Sequence, residues 1–470
     1  MRHRERRTHM DYNKETVTAR DESAYAGITA LFDPQTFAEL GKYEKASVIC
    51  GYGAVNYALT FAFVQDNTDG GAVIGDAEIR KISELYALAE KSGAPVVGFF
   101  GGAGVKVDDG GKALESLGKL LASVSSVSGK VPQIAVIDGV CSGVSAVAAS
   151  LFDIVIATEG GSWYINPPTV IRAQGEKDAG SIKKAYESGN VDIVTADTES
   201  AVQTVREILS AIPQNNEQGL AYADAEYQAE RETPEIGNAK NAKEIIEVIS
   251  DNGRFIELKG GCADSAVIGF ASIGSVTTGI AATEGSKSLT PAAARKIASF
   301  VSFCDNYRIP VLTIVDTKGI DRSIDSENAA YASELARLAS VYSASTNAKV
   351  TLVTGEAYGA AFTLLGSKAV GADIVYALPK AVISVMEPDA AVQFLYGDKI
   401  KSADDPAKER ADITAEYKAG SASASAAAES GIVDDIIDCS EARARIISAF
   451  NMLWTKAEGT VFRKHTKLPF

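Results

Sequence analysis

Two segments constrain the fold of this chain more than any other feature. From Glu356 to Asp373 the sequence reads EAYGAAFTLLGSKAVGAD, one glycine after the apolar run KVTLVT. From Asp138 to Asp153 it reads DGVCSGVSAVAASLFD, straight after PQIAVI. Each is a buried strand, a turn of small residues, a helix, and an Asp ahead of another apolar run. The flanking order repeats too. SVICGYGAVNYALTFAFVQ predicts two strands around a Gly-Tyr-Gly turn, and AVIGFASIG with TTGIAAT predicts their counterparts. An amphipathic helix, a strand into a Gly-containing turn and a second helix follow in both places. Strands alternating with helices need crossover connections and a largely parallel sheet. The chain is therefore expected to be a duplicated α/β protein. Its 470 residues also exceed one ordinary core. The polar stretch around Glu230 sets the expected domains at 1–230 and 231–470.

Composition removes several function classes. A net charge of −15 argues against nucleic acid and anionic membrane surfaces, which need clustered Lys and Arg. No uncharged apolar run reaches the roughly 18 residues that a spanning helix needs. The basic start, MRHRERRTHM, has no apolar stretch behind it; it does not read as a signal peptide and is set aside from the fold. The five cysteines stand singly, so neither a zinc site nor a disulfide framework is expected, and a reducing, cytoplasmic setting fits. The three histidines, His3, His9 and His465, lie at the chain ends. Chemistry that needs an imidazole in a folded site is thereby excluded, and Cys141 reads as a small buried residue. Backbone groups, carboxylates and lysines remain.

The first turn of a helix leaves backbone N–H groups without intrahelical partners, at the positive end of the helix dipole. Small side chains there let another group approach closely. A carbonyl oxygen that accepts two such amides is held more tightly once it becomes an oxyanion. Tight helix–strand packing also selects Gly and Ala, but duplication at the same place in each half favours the functional reading. Each half carries a second turn one element earlier: GGAGVKVDD from Gly101 to Asp109, and DTKGIDRS from Asp316 to Ser323. Neither has the pattern of a Walker or dinucleotide-binding loop.

At these residues the chain resembles the carboxyltransferase subunits of biotin-dependent acyl-CoA carboxylases and the related acyl-CoA decarboxylases, from about Ala26 to Lys464. DTKGIDRSIDSE, AYGAAFTLLGSKAVGAD, GIVDDIID with Arg443, the opening strands, and the loop INPPTVI…GE carry the match. The resemblance implies an α/β fold of two tandem crotonase-like (ClpP/crotonase) ββα-superhelix domains, with acyl-CoA on the N-terminal and biotin on the C-terminal one. It assigns the amides of Gly143 and Val144 to the acyl-CoA carbonyl, and those of Ala360 and Ala361 to the ureido oxygen of biotin. Gly101, Gly102, Ala103, Gly104 and Lys106 would line the acyl-CoA side. Gly319, Ile320, Gly359 and Thr363 would line the other, Thr363 where the family tunes acyl-chain preference. Biotin would arrive on a separate biotin carboxyl carrier protein, because no biotinylation sequence of the Ala-Met-Lys-Met type occurs. A biotin carboxylase or membrane decarboxylase subunits would be further chains. A homo- or hetero-oligomer, dimer-based and up to a hexamer, is implied, with no metal, no nucleic acid and no membrane insertion. Three departures stand out. Lys106 replaces an Arg, Val144 replaces a Gly, and the zinc ribbon of some relatives is missing. They keep open a non-catalytic structural paralogue beside an active sibling. A biotin-independent hydrolase or isomerase would instead need Asp108 or Asp109 at the first corner. Lys368 and Glu327 match family positions and could equally be structural ion-pair partners.

Overall fold

The computed structural model describes residues 22–66, 72–102, 104–166, 169, 178–222 and 228–456. Two large sheets share one strand plan. The first runs β1 (Ala38–Leu40), β2 (Val48–Val55), β3 (Ala58–Gln65), β4 (Val96–Phe100), β5 (Gln133–Ile137), β7 (Ile154–Thr158) and β9 (Ile193–Thr195). The second runs β10 (Phe255–Leu258), β11 (Ala266–Ile273), β12 (Val276–Thr283), β13 (Val311–Thr317), β14 (Lys349–Tyr358), β15 (Ile374–Ala377) and β17 (Asp435–Ile436). In each, the first three strands are antiparallel and the rest parallel. A short strand leaves each sheet plane: β6 (Val140–Ser142) pairs β8 (Ser162–Tyr164), and β16 (Val382–Ser384) pairs the end of β14. The duplicated α/β plan expected from the sequence is present.

The opening hairpin differs from expectation. The turn between β2 and β3 is not Gly-Tyr-Gly but Asn56–Tyr57, both at positive φ, as a two-residue hairpin loop requires. Gly51 and Gly53 lie within β2, where a Cβ would come 2.4 Å from the Phe37 ring and 2.7 Å from Phe32. These glycines admit aromatic side chains against the strand. Gly274–Ser275 makes the matching turn between β11 and β12.

Paired aspartates mark the duplication at the strand starts. Asp153 accepts the Gln133 N–H at 2.8 Å, and Asp373 accepts the Lys349 N–H at 2.8 Å. Asp192 and Asp434 do the same one strand further on, for Val155 and Val375. The chain crosses between halves over 218–221. Asn216 still bonds to Lys130, whereas Ala221 already accepts from Thr277. Among the described residues no helix is long and apolar enough to cross a membrane.

Candidate active site: two backbone-amide corners

Strand register aligns the halves residue by residue. Gln133 and Lys349 begin equivalent strands, and counting along them sets Gly143 opposite Gly359. Both glycines have φ 57°, a left-handed conformation that other residues adopt only with strain. Each faces the same neighbouring strand end: a Cβ would lie 4.0 Å from the Ile165 oxygen at Gly143 and 2.9 Å from the Val385 oxygen at Gly359. Each turns the chain into a short helix, Val144–Ser150 in the first half and Gly359–Leu364 in the second.

One expected donor is already engaged. The Gly143 N–H is donated to the Tyr164 carbonyl at 3.0 Å, which continues the β6–β8 pairing. The residues in the places of Ala360 and Ala361 are Val144 and Ser145. Their amides are first-turn groups, which a helix leaves without partners of its own. The sequence reading paired Gly143 with Val144, whereas lining up the two glycines sets Val144 and Ser145 opposite Ala360 and Ala361. Cys141 is fully buried, and burial pushes its thiol up to about 12, so it is inert packing.

The second turns are equivalent too. Gly104 and Gly319 have positive φ, and their carbonyls accept the N–H of Ile74 (2.9 Å) and Leu289 (2.8 Å). Each approaches the residue before the corner glycine: Cβ atoms there would stand 3.8 Å from the Ser142 hydroxyl and 3.5 Å from the Tyr358 oxygen. Val105 and Ile320 then bridge Ile74 and Leu289. The turns are held from the preceding strand. Gln65 Oε1 accepts the amides of Gly101 and Gly102 at 2.8 and 2.7 Å, and Thr283 accepts that of Asp316 at 3.0 Å. A Cβ on Gly102 would lie 2.1 Å from the Ala72 carbonyl oxygen. Gly101 and Gly102 thus spend their amides on the turn itself. Gln65, which orders this turn, escaped the sequence reading because a lone Gln at a strand end carries no signal.

Charges near the corners are mostly engaged. Lys106 stands 3.7 Å from Glu78, a buried carboxylate that also accepts from Ser47 and Gly75. Asp109 accepts the Asp76 N–H at the start of the helix Asp76–Ser92, and Asp108 is exposed. Lys368 donates to Asp434 at 2.5 Å, and Glu327 is exposed. Asp316 accepts the Glu356 N–H, and burial raises its pKa. Thr363 is exposed on the second corner helix. Ala103 and most of the INPPTVI…GE loop lie outside the described residues. Among the described residues, no group of three or more His, Cys, Asp or Glu could hold a metal ion.

The structure is a duplicated α/β fold with one backbone-amide corner per half. Comparison then gives the family. Residues 3–468 match the family model described as Carboxyl transferase domain, and the chain belongs to that family. It is 32% identical to the methylmalonyl-CoA decarboxylase subunit alpha of Propionigenium modestum, over 96% of this chain and 93% of that one. It is 31% identical to the propionyl-CoA carboxylase carboxyltransferase subunit of Haloferax mediterranei, over 90% of this chain and 85% of that one. A solved transcarboxylase 12S structure, with methylmalonyl-coenzyme A and methylmalonic acid bound, superposes with a TM-score of 0.90 at 30% identity, covering 95% and 92% of the two chains. The fold is the crotonase-like pair expected from the sequence, and the chain is a carboxyltransferase.

Proposed function

We propose that this chain moves a carboxyl group between carboxybiotin, presented by a separate biotin carboxyl carrier protein, and the α-carbon of a small acyl-CoA. The observation that carries the reading is the pair of equivalent amide corners. The Val144 and Ser145 amides would take the thioester carbonyl, and the Ala360 and Ala361 amides the ureido oxygen. In the carboxylating direction the C–N bond of carboxybiotin breaks, CO₂ leaves, and its electron pair stays on the ureido group. The α-carbon loses its proton, the resulting enolate attacks CO₂, and the proton ends on the biotin nitrogen. Negative charge develops on both oxygens, where each corner aims two donors. Losing one such donor costs about 3 kcal/mol of transition-state stabilisation.

Gly104 and Lys106 would lie along the CoA, with the turn of Gly101, Gly102 and Ala103 as their frame. Gly319, Ile320, Gly359 and Thr363 would surround the biotin end. Partner chains would be the carrier and either a biotin carboxylase or membrane decarboxylase subunits. The working unit would be a cytoplasmic, dimer-based oligomer with corners contributed by different subunits. The relatives named for propionyl-CoA and methylmalonyl-CoA support acyl groups of that size.

The test is the reverse half-reaction on the purified oligomer. Methylmalonyl-CoA or malonyl-CoA is mixed with free biotin and loss of the acyl carboxylate is followed. Biotin-dependent loss supports the reading. A folded protein with no loss, with or without a carrier, would sink it.

A further inference from the structure

The two halves hold their second turns in different ways. In the first, Gln65 Oε1 takes the amides of both Gly101 and Gly102. In the second, Thr283 stands in the place of Gln65 and accepts the Asp316 N–H. Asp316 stands in the place of Gly101, where a Cβ would meet nothing within 4 Å. Its carboxylate reaches across to the corner strand. Asp316 Oδ1 accepts the Glu356 N–H at 2.8 Å, three residues ahead of Gly359.

That bond spans an irregularity in the ladder. Val315 pairs with Val353 and Thr317 with Ala357, so Asp316 alone faces Thr354, Gly355 and Glu356. β14 thus carries two extra residues just before the corner. Bulges of this kind leave backbone unpaired and re-aim the chain, often beside active sites. Two glycines make room for the carboxylate. A Cβ at Gly355 would lie 2.5 Å from it, and one at Gly285 would lie 2.2 Å away. Gly139, in the place of Gly355, instead lies against the Gly101 backbone, 3.0 Å from its Cα by the same measure. Only the second half seats an acid between turn and corner.

We propose that Asp316 is a positioning residue for the second corner. By fixing the Glu356 amide it sets where Gly359 turns the chain, and so where the Ala360 and Ala361 amides point. The assignment rests on the carboxyl-transfer reading, in which those amides hold the ureido oxygen of biotin. Asp316 acts through the backbone and needs no contact with either substrate. Its contribution is the acceptor rather than the charge, so Asn can replace it and Ala cannot.

The test is the reverse half-reaction of methylmalonyl-CoA with free biotin, run on the intact oligomer. Asp316→Ala should lose about 100-fold in kcat, the scale of a lost oxyanion donor. Its KM for methylmalonyl-CoA should change by less than about twofold, because the first corner is untouched. Asp316→Asn, whose amide oxygen still accepts the Glu356 N–H, should keep kcat within about threefold. Gly355→Ala pushes the carboxylate from its seat without removing it. It should reproduce the kcat loss, and it serves if Asp316→Ala does not fold. Hydrogen–deuterium exchange reads the same tie without turnover. Exchange at Glu356 and in the helix Gly359–Leu364 should quicken in Asp316→Ala and Gly355→Ala but not in Asp316→Asn, while Val144–Ser150 stays unchanged. No biotin-dependent turnover by the unaltered protein would sink the carboxyl-transfer reading and this assignment with it. Three results would overturn the assignment alone: full kcat in Asp316→Ala, an equal loss in Asp316→Asn, or a loss confined to the KM for methylmalonyl-CoA.

Discussion

The Tyr307 hydroxyl donates to the Asp153 carboxylate at 3.2 Å, joining the second half to the strand starts of the first sheet. Asp153 also accepts the Gln133 N–H, so it ties a strand start and a partner helix to one buried group. Burial raises its pKa to about 7, with a further push from Asp192 nearby. The proton it retains on folding stabilises the native state fully below the unfolded value of 3.8, and that contribution is lost as pH rises through about 7. The contribution of this one group to thermal stability should therefore fall between about pH 4 and pH 7, by at most about 4 kcal/mol. Asp153→Asn should remove that contribution, so the variant's stability relative to the unaltered protein should rise over the same range. Scanning calorimetry of both proteins over that range decides it, and parallel curves would remove Asp153 as the cause.

Val144 is partly buried where the sequence match expects glycine. Its amide stands at the place of Ala360, but its side chain fills space beside the first corner. Val144→Gly should leave the fold intact, at a cost of up to about 1 kcal/mol for glycine in a helix. It should shift the kcat/KM ratio toward longer acyl chains by about tenfold per methylene, the usual scale of a pocket contact. An unchanged ratio would show that Val144 does not border the acyl chain.

The duplication, the strand order and the two corners could be read from sequence because hydrophobic runs and small-residue turns are local signals. What the sequence hid depends on pairing across space. Gly51 and Gly53 looked like a turn because glycine punctuates chains, yet Phe32 and Phe37 pack over them in a strand. Gly143 looked like a donor until Tyr164, on another strand, was seen to take its amide. Gln65 and the repeated aspartates gave no sequence signal, since each acts on a strand distant in the chain.

The corner glycines should respond unequally to alanine. Both have φ 57°, so a side chain costs about 1–2 kcal/mol of backbone strain at either. At Gly359 a Cβ would also lie 2.9 Å from the Val385 oxygen, whereas at Gly143 the nearest atom is 4.0 Å away. Gly359→Ala should thus lose more stability and displace the Ala360 and Ala361 amides further. Urea unfolding with steady-state rates should rank Gly359→Ala below Gly143→Ala in both. The opposite order would mean that the first corner tolerates less movement than its packing indicates.

Arg443, part of the C-terminal match, is a structural keystone on geometric grounds. It is 1% exposed and pairs with Asp251 while donating to the carbonyls of Ile249 and Gln228. Asp251 in turn accepts from Ser272, Gly274 and Ser275, so one ion pair pins the residues after the crossing to the β11–β12 turn. Removing one partner of a buried pair leaves the other charge uncompensated, at a cost of about 3–5 kcal/mol. Arg443→Met should lose that much. Adding Asp251→Asn should recover part of it, because no buried charge then stands alone while the amide oxygen can still accept from the turn. Urea denaturation of both single variants and the double variant measures the coupling. Additive losses would show that the two side chains act independently and that Arg443 serves mainly through its backbone contacts.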